Sequence, residues 1–230
     1  MYEVETPGEF LVGLEIEVAG KHDQSYLKSS PLIAGWGRDD SLCLPGAGEY
    51  QTQPLGYSPG TIAALVDLVR HVRPVIGDQR EAGGHIHVER SLTGHQSCRG
   101  WEIALSGLTG DQARALNMRH ATPGRNYYCK LYEGDHRGKH CAVNGEHERT
   151  IELRTFGAWD CSTACKLAPA IKWVHGMWEW FESWPPAGVP DDWLAIDEKV
   201  IKNTSSRVAD SVLRGEHADK TTSVHVVYTV

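Results

Sequence analysis

The sequence predicts an α+β domain, in which half-buried strands are combined with amphipathic helices. Three observations predict it. Residues 9–18, EFLVGLEIEV, place Phe10, Val12, Leu14, Ile16 and Val18 at alternate positions, the period of a strand with one face in a core. Residues 83–89 (GGHIHVE) and 149–156 (RTIELRTF) repeat that alternation. Two longer stretches carry apolar residues at helical spacing instead: Ile62, Leu65, Val66, Val69 and Val72 within 58–73, and Leu167, Ile171, Val174, Met177, Trp178 and Phe181 within 162–184.

The remaining elements follow in chain order. Residues 21–36 are polar and read as a connection, with a short strand near 32–36. Pro45-Gly46-Ala47-Gly48 is a turn. Residues 49–54 (EYQTQP) alternate again and read as a strand. Ser58-Pro59 opens the next helix with an N-cap serine and a first-turn proline, and Pro74 closes it. Residues 97–108 and 110–120 read as two further helices, with Asp111 suited to the dipole of the second. Residues 122–130 and 136–147 read as polar loops. Asp160 caps the long helix 162–184, in which Pro169 introduces a kink. Its tryptophans, Trp173, Trp178, Trp180 and Trp184, are expected in the core. A Pro-rich linker at 184–192 leads to two short helices, 192–203 and 205–215, and residues 221–230 are expected to form a last strand. The whole chain, 1–230, reads as a single domain without internal repeats.

Composition bounds the function classes. A chain of 230 residues with 40% hydrophobic and 23% charged residues is ordinary for a globular domain with a sizeable core. No run of about 18 apolar residues is present, so no membrane-spanning helix is expected. The acidic start, MYEVETPGEF, lacks the pattern of a signal peptide, and a cytoplasmic location is expected. The six cysteines form no CxxC pair and read as reduced thiols. A net charge of −7 argues against a broad nucleic-acid surface while leaving room for a local basic pocket. Asn203-Thr204-Ser205 matches a glycosylation sequon, read as chance in a chain without a secretory signal.

The strand faces turned away from the core carry chemistry. Glu15 and Glu17 project side by side from the first strand. Two like charges this close are open to water or neutralised by a cation. His85, His87 and Glu89 share one face of 83–89, and Glu49 begins the strand at 49–54. Glu152, Arg154 and Phe156 share a face of 149–156, where the acid and the base can also simply pair with each other. Four carboxylates and an imidazole on a shared sheet surface favour a hard divalent cation, Mg²⁺ or Mn²⁺. Basic residues nearby, Arg119 and Arg125 among them, suit a phosphate. The chain has no GxxxxGK[ST] loop and no strand-linked GxGxxG, so a nucleotide would be held by metal and arginine.

Gly13-Leu14-Glu15-Ile16-Glu17, Asp40-Ser41-Leu42, Gly48-Glu49 with Pro54, Gly84-His85-Ile86-His87-Val88 and Glu152-Leu153-Arg154 occur in the order and rough spacing of the amidoligase family. The chain thus resembles a branch of the glutamine synthetase-like carboxylate–amine ligases over residues 10–156. The resemblance implies a curved, mainly antiparallel sheet forming an active-site funnel flanked by helices. It implies ATP-dependent joining of a carboxylate to an amine through an acyl-phosphate. Carried over by motif, Glu15, His85 and Glu152 hold the ion on the ATP phosphates, and Glu17 and Glu49 hold a second ion near the acceptor. Arg154 stabilises the transferred phosphoryl group, with Arg125 and Arg119 as phosphate or substrate contacts. Glu17 and Glu49 also stand where an incoming ammonium must lose a proton. His87 is either a ligand or a support for His85, and Asp40 either shapes the substrate end or supports Glu49. Substrates would be a small or peptide carboxylate and an amine, and an oligomer is compatible with the family. Two other readings remain: a metal-dependent hydrolase built on His85-x-His87, and a non-catalytic nucleotide-binding relative.

Overall fold

The computed structural model describes residues 10–38, 42, 44–76, 82–90, 97–122, 128–131, 140–183 and 198–216. Nine strands and six helices occur among them, in an α+β arrangement. Strands β1 (Leu11–Val18), β3 (Ile33–Gly37), β4 (Gly48–Thr52), β5 (Leu55–Gly56), β7 (Gly83–Glu89), β8 (Val143–Asn144) and β9 (Thr150–Gly157) make one open sheet. Its order is β3-β4-β1-β7-β9-β8, with β5 also paired to β1, and every pairing between these strands is antiparallel. Two short strands, β2 (Lys21–His22) and β6 (Pro74–Ile76), pair separately.

The first strand lies in the middle of the sheet because its alternate positions are wholly apolar. Val12, Leu14, Ile16 and Val18 are each no more than 1% exposed. They join Ile86 and Val88 of β7 and Ile151 and Leu153 of β9 in one core. Burial of this face stabilises the fold by roughly 25 cal/mol per Å² of apolar surface. Helices α2 (Pro59–Arg70), α3 (Cys98–Ser106), α5 (Ala164–Ser183) and α6 (Glu198–Leu213) contribute their apolar stripes to the same core. Trp101 of α3 packs edge-on against Trp173 and Phe181 of α5, and Trp173, Trp178 and Trp180 are buried as expected.

Several elements differ from the sequence expectation. The polar connection 21–36 contains a short helix, α1 (Gln24–Ser29), capped by Asp23 through the Ser25 backbone N–H. The helix expected at 110–120 is short: α4 (Gly110–Ala115) ends before Asn117, whose φ of 62° lies in the left-handed region. The two expected C-terminal helices are one from Glu198 on, with no break at Thr204-Ser205. These hydroxyl residues look like a helix end but face inward. Ser205 Oγ donates to Ala104 O at 2.6 Å, and Trp173 Nε1 donates to Ser205 O at 3.3 Å. Phe156 is in the core, not on the face of Glu152 and Arg154. Gly84 pairs with Phe156 and Ile86 with Leu153, so Arg154 and Thr155 together oppose the single residue His85. That bulge shifts the strand's phase by one and returns Phe156 to the apolar side. Asp40, Arg125, Trp184, the linker 184–192 and the expected strand 221–230 lie outside the described residues. Among the described residues, no helix is long and apolar enough to cross a membrane.

Candidate metal centre

Antiparallel register places the chemistry-bearing residues in one row across the sheet. Glu15 is paired with Gln51 on one side and His85 on the other, Glu17 with Glu49, and His87 with Gly13 and Glu152. All belong to the phase opposite to the apolar residues. Glu15 and Glu17 are each 8% exposed, Glu152 2% and His85 1%. Acids this deeply buried need compensation, and His85 provides part of it. Its Nδ1 lies 2.7 Å from Glu15 Oε1 and 2.9 Å from Glu152 Oε1, and its Nε2 lies 3.4 Å from Glu17 Oε1. Arg154 Nη1 donates to the same Glu152 Oε1 at 2.6 Å.

The second oxygens of the two acids face another set of groups. His87 Nε2 is 3.3 Å from Glu15 Oε2. His147 Nε2 is 3.3 Å from Glu152 Oε2, which also accepts from Asn144 Nδ2 at 2.8 Å. Glu17 Oε2 accepts the Gly83 backbone N–H. The glycine pair of β7 serves two close approaches. A Cβ at Gly83 would come within 2.8 Å of His85 Nε2 and 2.9 Å of Glu17 Oε2, and one at Gly84 within 2.5 Å of Gly157 O.

The electrostatics follow from this packing. Burial works against the charge on His85, but its hydrogen bonds to Glu15 and Glu152 and the charge of Glu17 push it up to about 9. Burial would raise Glu15, yet the hydrogen bonds with His85 and His87 bring it down to about 2. Glu152 is held well below the ordinary carboxylate range, against its burial, by the bond and charge of His85 and by Arg154.

Ligand-type atoms converge in two groups, each with its atoms within 4.8 Å of one another: Glu15, His87 and Glu152, and Glu15, Glu17 and His85. The donor set of carboxylate and imidazole, buried and excess in negative charge, fits a divalent cation. The structure therefore brings together Glu15, Glu17, His85, His87, Glu152 and Arg154. Glu15 belongs to both groups, and Glu17 shares one of them with Glu15 and His85. Glu49 stands across from Glu17 but outside both groups, with its Oε1 accepting from Gln51 Nε2 at 2.9 Å. Arg119 reaches the Gly83 end, where its Nη1 donates to Ala82 O at 3.1 Å and its Nη2 is 3.1 Å from the Gly83 Cβ position. The Nε atoms of Arg119 and Arg154 are buried without a hydrogen-bond partner among the described residues. Two further residues of this centre, Asn144 and His147, escape sequence reasoning because they sit beside a turn, where no periodicity assigns a face. A cavity of about 430 Å³ lined by Lys28, Trp36, Arg38, Pro45 and Tyr50 does not coincide with this centre. Trp36 pairs with Tyr50 in the strand phase opposite to Glu49.

Compared with models of known protein families and with curated proteins, the chain matches none.

Proposed function

We propose that the chain is an ATP-dependent amidoligase that joins a carboxylate to an amine, using Mg²⁺ or Mn²⁺. The observation that carries this reading is the meeting of three carboxylates and two imidazoles on one sheet face, bordered by the guanidinium groups of Arg154 and Arg119. A glutamine synthetase-like sheet, curved into a funnel around that face, belongs to the same reading.

The chemistry suits these residues. A carboxylate is a poor electrophile. Its oxygen attacks the γ-phosphorus of ATP, the bond to the β-phosphate oxygen breaks, and ADP leaves. The amine then attacks the acyl carbon and inorganic phosphate leaves. Across the two steps the ammonium substrate gives up its protons, one to the solvent and the rest to the amide and phosphate products. Phosphoryl transfer needs positioning and neutralised charge rather than a protein nucleophile. A bound divalent ion would screen the phosphate oxygens, and Glu15, Glu17, His85 and Glu152 would hold it, with Glu49 beside Glu17. Arg154 contacts the transferred phosphoryl group; Arg119 and Arg125 contact the remaining phosphates or the acid. Glu17 and Glu49 accept the proton of the incoming ammonium.

The test is incubation with ATP, Mg²⁺ or Mn²⁺ and mixed acids and amines, one acid carrying ¹⁸O in its carboxylate. Transfer of one ¹⁸O into the released phosphate, with an amide of matching mass, is expected. ATP consumption without that transfer, across a broad panel, sinks the reading. A second reading, a metal-dependent hydrolase, is favoured by the pair of imidazoles that flank the Glu15 and Glu152 carboxylates. Cleavage of an ester or peptide with metal and no ATP identifies it.

A further inference from the structure

We propose that His147 is a ligand of the ion held by Glu15, His87 and Glu152, and that this ion is a first-row transition metal rather than Mg²⁺. The inference rests on the metal centre of the preceding reading and not on ATP chemistry.

Glu15 and Glu152 each divide their two oxygens in the same way. Both Oε1 atoms turn toward His85 Nδ1. Both Oε2 atoms turn the other way, each toward one imidazole: Glu15 to His87 Nε2 and Glu152 to His147 Nε2, both at 3.3 Å. The two rings lie 5.4 Å apart, edge to face. Both are long hydrogen bonds, just beyond the usual 2.7–3.2 Å of an N–H···O bond, so each imidazole is held only weakly by its carboxylate. The same spacing is that of two neighbouring ligands of one ion; His147 stands just outside the Glu15–His87–Glu152 group, and its half-exposed side chain turns inward to complete it. Ligands about 2.1 Å from one metal at angles of about 90–110° are about 3.0–3.4 Å from each other. Two imidazole nitrogens with two carboxylate oxygens form a donor set that transition metals take up more readily than Mg²⁺, which prefers oxygen alone.

His147 is also held in place. Arg90, just beyond the end of β7, reaches over its turn. Its Nε donates to His147 O at 3.0 Å and to Thr150 O at 3.2 Å, and its Nη2 donates to Gly145 O. Asn144 Oδ1 accepts the Glu146 N–H at 3.0 Å while its Nδ2 fixes Glu152 Oε2. The turn is thus tied to its neighbours at both ends, which fixes the backbone from which the imidazole reaches the site. Arg90 is a positioning residue in this arrangement.

The experiment uses the full chain without nucleotide. Mn²⁺ and Mg²⁺ are titrated separately by calorimetry, and the Mn²⁺ form is examined by pulsed electron paramagnetic resonance for coupled imidazole nitrogen. The wild-type chain is expected to bind Mn²⁺ more tightly than Mg²⁺ and to show nitrogen coupling from more than one imidazole. His147→Gln is expected to lose about 10- to 100-fold in Mn²⁺ affinity, to change Mg²⁺ affinity far less, and to lose part of the nitrogen signal. Arg90→Ala, with His147 still present, is expected to lose Mn²⁺ affinity to a smaller degree. His147 is on the surface side of the turn, with its side chain 48% exposed, and thermal melts confirm that the variants are folded. Unchanged Mn²⁺ affinity and nitrogen coupling in His147→Gln overturn the proposal, as does a wild-type chain that binds no Mn²⁺. A chain that binds Mn²⁺ through His147 yet transfers no ¹⁸O overturns the ligase reading alone.

Discussion

His85 and Glu15 face each other across the β1–β7 pair with Nδ1 2.7 Å from Oε1, and each holds the other in its charged form. The proton on His85 thereby does for the acids what a cation would do. It is the central charge of a group of three carboxylates.

Stability of the metal-free chain should therefore fall on both sides of neutrality. His85 is raised from 6.5 to about 9, so its contribution is complete below pH 6.5 and is lost as pH rises through 9; its size is on the order of 3 kcal/mol. Glu15 is lowered from 4.5 to about 2, so its contribution is complete above pH 4.5 and is lost as pH falls through 2. His120 adds to the acid limb. Burial lowers it from 6.5 to about 4, and the unfolded chain gains the proton first between those values. Urea midpoints across pH 3–10 check this. A His85→Gln chain should lose the alkaline limb, together with the part of the acid limb that its bonds give to Glu15 and Glu152, while the His120 part remains.

Glu152 distinguishes charge from packing. Glu152→Ala leaves His85 and Arg154 facing a gap, and breaking a buried ion pair of this kind costs about 3–5 kcal/mol. Glu152→Gln keeps the volume and should melt closer to the wild type. Both should suppress ADP release by at least about 100-fold, the effect of removing one electrostatic contact in a reacting centre. Arg154→Ala should do the same. Full turnover in Glu152→Gln and Arg154→Ala would exclude this site.

Residues on the other face should behave in the opposite way. Ile16→Ala and Ile151→Ala, both at wholly buried positions, should cost about 2–5 kcal/mol. Metal affinity of the molecules that remain folded should stay the same. Calorimetric unfolding with parallel Mn²⁺ titration separates the two quantities.

The two adjacent glycines should differ. Gly84→Ala drives a methyl against Gly157 O and the Trp159 ring, so it should lower the melting temperature. Gly83→Ala drives a methyl against Glu17 Oε2 and His85 Nε2, so its larger effect should be on metal affinity.

The row of site residues was legible because strand periodicity alone assigns faces. Glu15, Glu17, His85 and Glu152 alternate with buried aliphatics, so their convergence needs only antiparallel register. What was not legible lies where periodicity stops. His147 and Asn144 flank a turn, and the backbone bonds of Arg90 to that turn have no sequence signature. Phe156 changes face because a bulge interrupts the count. Ser205 and Thr204 have the composition of a helix end and the location of a helix interior: Ala104 O and Trp173 Nε1 are partners of Ser205, and Thr204 Oγ1 accepts from Arg207 Nη2. Asp23 before α1 was a readable cap in a stretch whose polar composition concealed a helix of only six residues.

The bulge opposite His85 separates the requirements of folding from those of chemistry. Removing Thr155 would restore plain alternation and still leave Leu153 and Phe156 facing inward, so the sheet does not depend on the additional residue for its pattern. Nor does the Arg154–Glu152 pair, whose members stand two apart on one face; the additional residue instead anchors the segment that carries Arg119, through Arg119 N–H to Thr155 O at 2.7 Å and the His120 Nδ1–Thr155 Oγ1 contact at 2.5 Å. A chain one residue shorter at this point would keep the sheet's pattern and release the segment that carries Arg119, so strand length here sets where that guanidinium stands.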